Sequence, residues 1–274
     1  MSVIGSGNLR KMRSELHDEV QYFMPFYDGL IWKENVHMNP LIGKEISLDF
    51  EQQINCVVSG KSIKKAYGEG MSYEEFMKSP LASPSIIRPE LSRIHEGIAL
   101  RDEAWEREHH LQPHFTYLSL TSTVKVGVTR STQIPTRWID QGAVQGIILA
   151  ETPYRQLAGL IEVELKAYVS DKTNWRNMLK NEYDKSLSLL EKKDEMLDLL
   201  PEAFHEFISD DDSVLEIRYP VLEYPNKVSS IKLDKQQRIT GQLRGIKGQY
   251  LIFDSGVINI RSHAGYKVNL SLSE

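Results

Sequence analysis

Residues 115–179 constrain this chain most, because they spell out a complete α/β layer in one short stretch. Residues 115–120 and 124–128 are rich in β-branched and aromatic side chains, are separated only by Thr121-Ser122-Thr123, and predict a strand pair. Residues 135–141 read as a helical or turn segment, and the apolar run 144–150 as a buried strand. After Thr152-Pro153, Leu157, Leu160, Ile161, Leu165 and Tyr168 follow the i, i+3, i+4 spacing of an amphipathic helix over 154–169. Pro153 suits the first turn of that helix, where no backbone N–H is needed. The order is strand, strand, helix, strand, helix.

The flanks differ. Residues 1–58 form a β-rich segment, with strands predicted at 20–24, 45–50 and 54–58. Residues 59–114 are a connector of Gly, Ser, Pro and charge, broken at Ser79-Pro80 and Ser83-Pro84, with short helices at 73–78 and 102–110. Residues 181–215 read as a helical linker in which Leu187, Leu189, Leu190, Met196, Leu197, Leu199 and Leu200 supply one apolar face. Pro201 is expected to start a separate helix, and Asp210-Asp211-Asp212 to close it as a solvated loop. Residues 216–274 return to β: 249–253 and 257–261 flank the hairpin signal Asp254-Ser255-Gly256, and 266–272 alternates. Gly7-Asn8-Leu9-Arg10 and Gly241-Gln242-Leu243-Arg244 echo each other, so the two ends are expected to form similar barrels or to pair into one.

With 274 residues, 41% of them hydrophobic and 26% charged, the chain can bury real cores. Its net charge of −5 means that a nucleic-acid partner would need a local basic patch. No apolar run approaches the ~20 residues of a membrane span, and residues 1–15 carry Arg10, Lys11 and Arg13 without the apolar segment of a secretory signal. Cys56 is the single cysteine, which excludes an intrachain disulfide and an all-cysteine zinc site. It reads as a small buried hydrophobe. A cytoplasmic protein without membrane contact is the expectation.

No phosphate-binding Gly-x-x-x-x-Gly-Lys loop, Gly-x-Ser-x-Gly elbow or His-Glu-x-x-His helix occurs. What remains is a polar set in the central unit. Tyr117 sits mid-strand; Lys125, Gly127, Thr129 and Arg130 lie on or just beyond its partner; Arg137, Gln141, Glu162, Asn174 and Arg176 follow. A carboxylate can hold a divalent ion, arginine can neutralise a phosphoryl group, and a phenol can relay a proton. The same residues admit ordinary roles. Glu162 and Lys166 form an i, i+4 pair worth ~0.3–0.5 kcal/mol, Tyr117 suits a strand, and Trp138 and Trp175 suit a core. His95, His109, His110 and His114 are a further candidate metal site, although Pro113 interrupts the helical spacing of the last two. His114 directly precedes the Tyr117 strand and is placed to reach the same cleft.

Several strings carry a resemblance: Gly7-Asn8-Leu9-Arg10-Lys11-Met12, Gln112-Pro113-His114, Lys125-Val126-Gly127-Val128-Thr129-Arg130, Pro135-Thr136-Arg137-Trp138-Ile139-Asp140-Gln141-Gly142-Ala143 and Asp171-Lys172-Thr173-Asn174-Trp175. Together they look like the family of domain of unknown function 2797, over nearly the whole chain. The family name implies no activity. Its relatives carry Cys-x-x-Cys pairs ahead of the Gln-Pro-His string, which imply bound zinc. Here Cys56 remains, Ser59 fills the second position of its pair, and Ser72, Glu75, Ser85 and Ser92 fill others. Zinc takes about four N or S ligands, so zinc is not expected and packing is expected to replace it.

More distantly, the central unit is similar in its order of elements to the GIY-YIG nuclease superfamily. That resemblance implies Tyr117 as the first-motif tyrosine, Lys125-Val126-Gly127 as the second motif and Arg137 as the helix arginine. It implies Glu162 as the metal-holding glutamate and Asn174 as the late asparagine. Phe115 stands where the first motif has glycine, and Lys125 where the second has tyrosine. These departures touch the proton relay more than the metal or phosphate contacts.

The expected fold class is therefore α+β: a central GIY-YIG-like α/β layer at 115–180, flanked by N-terminal and C-terminal small β-sheets or barrels. The expected function is binding or processing of DNA or RNA. In one reading the chain is a Mg²⁺-dependent phosphodiesterase, with Glu162 holding the ion, Arg137 and Arg130 stabilising phosphate charge and Tyr117 as base. In the other it is a non-catalytic nucleic-acid-binding protein or protein-interaction scaffold. Nucleic-acid contacts are assigned to Lys125, Arg130, Arg137, Asn174, Arg176 and His114.

Overall fold

In the computed structural model, which describes residues 2–169 and 173–273, the chain forms two compact units. The first draws on residues 1–77 and 218–274, and the second is residues 78–217. In chain order the strands are β1 (Ser2–Leu9), β2 (Arg13–Leu16), β3 (Val20–Asp28), β4 (Ile31–His37), β5 (Glu45–Asn55) and β6 (Ser62–Ile63). Then come β7 (His114–Leu120), β8 (Val124–Arg130), β9 (Gln145–Thr152) and β10 (Leu215–Glu216). The last are β11 (Arg238–Lys247), β12 (Tyr250–Phe253), β13 (Gly256–Asn259) and β14 (Tyr266–Leu272). The helices are α1 (Tyr73–Lys78), α2 (Pro84–Ile87), α3 (Glu103–His110), α4 (Thr136–Asp140), α5 (Arg155–Leu165), α6 (Trp175–Leu179) and α7 (Leu189–Asp198).

The first unit is a curled antiparallel sheet in the order β13-β12-β11-β5-β14-β1-β3-β2, with β4 on β3 and β6 on β5. The two chain ends, read as separate β segments in the sequence, share this one sheet. β5 is flanked by β11, with Thr240 opposite Ser47, and by β14, with Leu270 opposite Leu48. The expected strand at 54–58 is not separate, because Ile54 and Asn55 complete β5 and the chain then turns. Gly7 takes φ +147, and a Cβ there would run into the Tyr27 carbonyl, so only glycine fits. Beside it, buried Asn8 donates from its amide to Asn55 Oδ1 at 3.0 Å and Gly265 O at 2.8 Å, and accepts from the Gly29 N–H at 3.0 Å. The Gly-Asn-Leu-Arg string thus ties three turns together, and its echo lies in β11 of the same sheet.

The second unit is built on the antiparallel sheet β10-β9-β7-β8. Successive residues of β7 point to opposite faces. Leu118 and Leu120, with Val124 and Val126 of β8, face a core closed by Ile161 and Leu165 of α5 and by Leu189 and Met196 of α7. Each such side chain contributes ~1.5–3 kcal/mol by burial. On that face the Thr116 hydroxyl donates to Ala158 O at 3.0 Å, fixing α5 to β7. Tyr117 takes the other face, with Gly127 directly across from it and Trp138 of α4 edge-on at 5.8 Å. A Cβ at Gly127 would lie 2.6 Å from the Tyr117 hydroxyl. The order strand, strand, helix, strand, helix is present.

Two sequence expectations are corrected here. The helix at 154–169 is shorter, and its buried face runs through Arg155, Ala158, Ile161, Glu162 and Leu165, while Leu160 and Tyr168 are 39% and 54% exposed. Small Ala158 and Gly159 decide this, since Gly159 lies against the backbone of Pro89 and Glu90. Leu190 and Leu199 likewise point outward, and Pro201 leads only into a 3-10 turn, Glu202–Phe207. The acidic run is the exposed loop expected, tethered to α7. Buried Lys193 donates to Ser209 O, Asp211 O and Asp212 Oδ1 at 2.8, 2.9 and 2.8 Å, drawing the run onto α7. Among the described residues no helix is long and apolar enough to cross a membrane.

Candidate functional site

At the end of the β7–β8 ladder away from its turn, His114 pairs with Arg130. On the same face α5 opens with Arg155, a cation placed against the helix dipole yet buried. Its Nε and Nη2 donate to Ser85 O at 2.9 and 2.8 Å, and Nη2 also donates to Ile86 O at 3.0 Å. Burial, followed by the neighbouring Arg137 and then Arg130, pushes Arg155 down to about 10, against Glu162 and Glu90. Arg137 and Arg130 are therefore the cations whose charge reaches Arg155. Two turns along α5, Glu162 is 7% exposed, with its Oε2 3.3 Å from Lys166 Nζ. Burial, reinforced by Glu90, raises its pKa against the pull of Lys166 and Arg155.

Two imidazoles close this group from within. The His114 Nδ1–H donates to Gln112 O at 2.7 Å, so its enclosed Nε2 carries a lone pair and has no hydrogen-bond partner. His110 Nδ1 is 3.0 Å from Ser92 Oγ, and its Nε2 is equally enclosed. Burial first, with Arg155 and Arg130 adding to it, lowers His110 to about 3 and His114 to about 4, the latter against its bond to Gln112. Both rings are neutral near pH 7.

The other residues singled out in the sequence lie elsewhere in the unit. Tyr117 is fully buried on the opposite face, where its hydroxyl accepts from Gln141 Nε2 at 2.8 Å. Asn174 sits at the turn end of the ladder, its N–H donating to Ser122 Oγ at 3.2 Å and its Oδ1 capping α6 through the N–H groups of Arg176 and Asn177. The Arg176 guanidinium lies over the Trp175 indole at 4.3 Å, and Lys125 is near the start of β8. The length of β8 puts that turn roughly 20 Å from Arg130 at ~3.3 Å per residue. Of the set implied by the nuclease resemblance, Arg137 and Glu162 each bear on Arg155, while Tyr117 lies on the opposite face and Asn174 at the turn end. Asp171 and Lys172 lie outside the described residues.

The four histidines do not assemble either: His95 stacks on Tyr154 at 4.4 Å and His109 on Trp105 at 4.0 Å. The positions where relatives are expected to carry cysteines form two hydrogen-bonded groups, one in each unit. In the first unit the Ser72 N–H donates to Cys56 Sγ at 3.2 Å and the Glu75 N–H to Ser72 Oγ at 3.2 Å. Burial would raise the Cys56 thiol, but hydrogen bonds from Ser59, Ser72 and Val58 outweigh it and bring it to about 7. In the second, buried Ser83 and Ser85 lie 3.1 Å apart and Ser92 holds His110. Each group offers a single sulfur or nitrogen side-chain donor, short of the roughly four that zinc takes. Among the described residues no three His, Cys, Asp or Glu side chains are placed to share a metal ion.

Sequence reasoning missed Arg155, Glu90 and Ser83. A signal for Arg155 existed: it falls on the i, i+3, i+7 line of Ala158 and Glu162, a charge on the buried stripe. No curated protein and no solved structure matches the chain. The family described as protein of unknown function (DUF2797) matches residues 43–268, which takes in strands of the first unit and the whole of the second. With most of its length inside that match, the chain belongs to the DUF2797 family.

Proposed function

We propose that the protein binds nucleic acid, DNA or RNA, through the arginine group of the second unit. What supports this is that the charges of Arg137 and Arg130 both bear on the buried Arg155, at the end of the sheet where His114 pairs with Arg130. Like charges brought together at the end of a sheet cost folding energy and attract a polyanion. In this reading Arg130 and Arg137 contact phosphate, while Arg155, which donates to the carbonyls of Ser85 and Ile86, sustains the potential. The likeness of the central unit to the GIY-YIG superfamily in element order supports phosphodiester chemistry as the context.

Turnover is the weaker part of that likeness. Tyr117 is enclosed on the far face and held by Gln141, which does not suit a base. The residues present do not fit a resident Mg²⁺ either. Mg²⁺ takes one or two charged carboxylates with water and phosphate, whereas Glu162 is pushed by burial towards its neutral form, is paired with Lys166 and has Arg155 beside it. No reaction step is routed through a metal ion.

The test is fluorescence anisotropy with labelled single-stranded DNA, duplex DNA and RNA across a salt series. Arg137→Ala is expected to weaken binding about tenfold and to flatten the salt slope by roughly one phosphate contact. Equal affinities for wild type and variant on every probe would remove the proposal. Cleavage in Mg²⁺ that is lost in Glu162→Gln would restore the phosphodiesterase reading.

A further inference from the structure

Beside the β7–β8 turn is a cavity of about 640 Å³, within the ~300–1,000 Å³ typical of small-molecule sites. Leu120, Val124 and Val169 give it an apolar floor continuous with the core of the second unit. Tyr168 lines it while remaining 54% exposed, which leaves a ring face for a ligand. The polar lining is Ser122, Thr123, Thr173, Asn174, Asp184 and Lys192, the last paired with Glu195 at 2.7 Å. Asn174 spends its Oδ1 on the α6 cap, so what it offers is its amide NH₂, a donor. Asp184 spends its Oδ1 on the N–H and hydroxyl of Ser186, at 2.9 and 2.6 Å, so what it offers is Oδ2, an acceptor. Next to Asn174, the Arg176 guanidinium is laid flat on Trp175.

An apolar floor with one aromatic face, an amide donor, a carboxylate acceptor, three hydroxyls and a cation beside it matches a flat heterocycle that carries mixed donors and acceptors on its edge and a phosphate at its side. With Lys192 paired to Glu195, the Asp184 carboxylate makes the cavity unsuited to a bare phosphate, and a purely apolar ligand would leave the polar lining unmatched. We propose that this cavity takes an unpaired nucleobase of a single-stranded nucleic acid, with Tyr168 stacking on the base, Asn174 and Asp184 meeting its edge, and Arg176 meeting a flanking phosphate. This rests on the nucleic-acid reading of the arginine group and adds the strand type and the base contact. The roughly 20 Å between that group and the turn corresponds to about six nucleotides at ~3.4 Å per stacked step, so one strand can engage both.

The experiment uses the full chain and three probes carrying the same fluorophore: a mixed-sequence 12-mer of single-stranded DNA, an all-abasic 12-mer with the same phosphates, and the 12-mer duplex. Wild type is expected to bind the single strand about tenfold more tightly than the abasic strand, the size of one stacked base, and more tightly than the duplex. Tyr168→Ala, at an exposed position, is expected to abolish that tenfold preference and leave abasic binding unchanged; Asp184→Ala is expected to reduce it. If wild type binds the single and abasic strands equally while Arg137→Ala weakens both, the base pocket is overturned and the nucleic-acid reading stands. A preference that survives Tyr168→Ala also overturns the pocket. Failure of every probe to bind, or binding indifferent to Arg137→Ala, overturns both.

Discussion

His110 and His114 are the two groups whose folded environment departs most usefully from water, because both rings are sealed in beside Arg155 and Arg130. In the unfolded chain each takes up a proton near pH 6.5, whereas in the folded chain the corresponding values are about 3 and 4. Between roughly pH 6.5 and 4 the unfolded state therefore binds more protons, and stability falls as pH is lowered through that window. Each ring contributes about 1.4 kcal/mol per pH unit at full difference. Glu162 acts in the opposite sense: its pKa is raised by burial, so its contribution is present at low pH and is lost as pH rises through the raised value. Two rings against one carboxyl leave a net loss on acidification. Urea unfolding is expected to show a lower midpoint at pH 5 than at pH 7, and the His110→Gln, His114→Gln double variant to lose most of the difference. Equal midpoints at the two pH values in wild type would refute this account. At this scale the sequence marked His114 as reaching a cleft but could not show that its ring is neutral, because that follows from its burial and from Arg155 and Arg130, which are near it only in the fold.

At the scale of elements, the second unit depends on how closely β8 and α4 approach β7. Gly127 is the contact point, since a Cβ there would fall 2.6 Å from the Tyr117 hydroxyl and 2.7 Å from the carbon bearing it. Gly127→Ala is expected to destabilise the protein by about 1–3 kcal/mol through overpacking. Adding Tyr117→Phe should recover only part of that, because the ring carbon still stands in the way. Thermal unfolding of the two single variants and the double variant measures the coupling, and strict additivity would mean that the two side chains do not meet. Strand and helix identities were legible here: β7, β8 and β9 are the apolar runs at 115–130 and 144–150, and α5 follows Pro153. The face each side chain takes was not. Thr116 and Tyr117 are neighbours in sequence but lie on opposite sides of the sheet, one bonded to Ala158 and the other to Gln141. A shift of one residue in register would exchange them, and nothing local records which of the two meets α5.

For the whole molecule, the two units differ in how the chain builds them. The first needs both ends: β5 lies between β11 and β14, and β1 pairs with β14, so within residues 1–77 the long strand β5 has only the two-residue β6 beside it. The second is a single run, 78–217, with its own sheet and its own core under α5 and α7. This division was only half legible. The sequence marked β-rich ends and a central layer, and the echo of Gly7-Asn8-Leu9-Arg10 in Gly241-Gln242-Leu243-Arg244 left open two barrels or one joint structure. Pairing between strands some two hundred residues apart leaves no periodic trace, since each strand needs only an apolar face whichever partner it finds. Residues 78–217 expressed alone are accordingly expected to unfold cooperatively. Residues 1–77 alone are expected to lack a cooperative transition, because removing β11 and β14 strips both edges of β5 and leaves Ile46 and Leu48 without the strands that enclose them. Mixing 1–77 with 218–274 should restore a transition, at a midpoint that rises with fragment concentration. Cooperative unfolding of 1–77 by itself, or an unstructured 78–217, would contradict the division into a joined unit and a contiguous one.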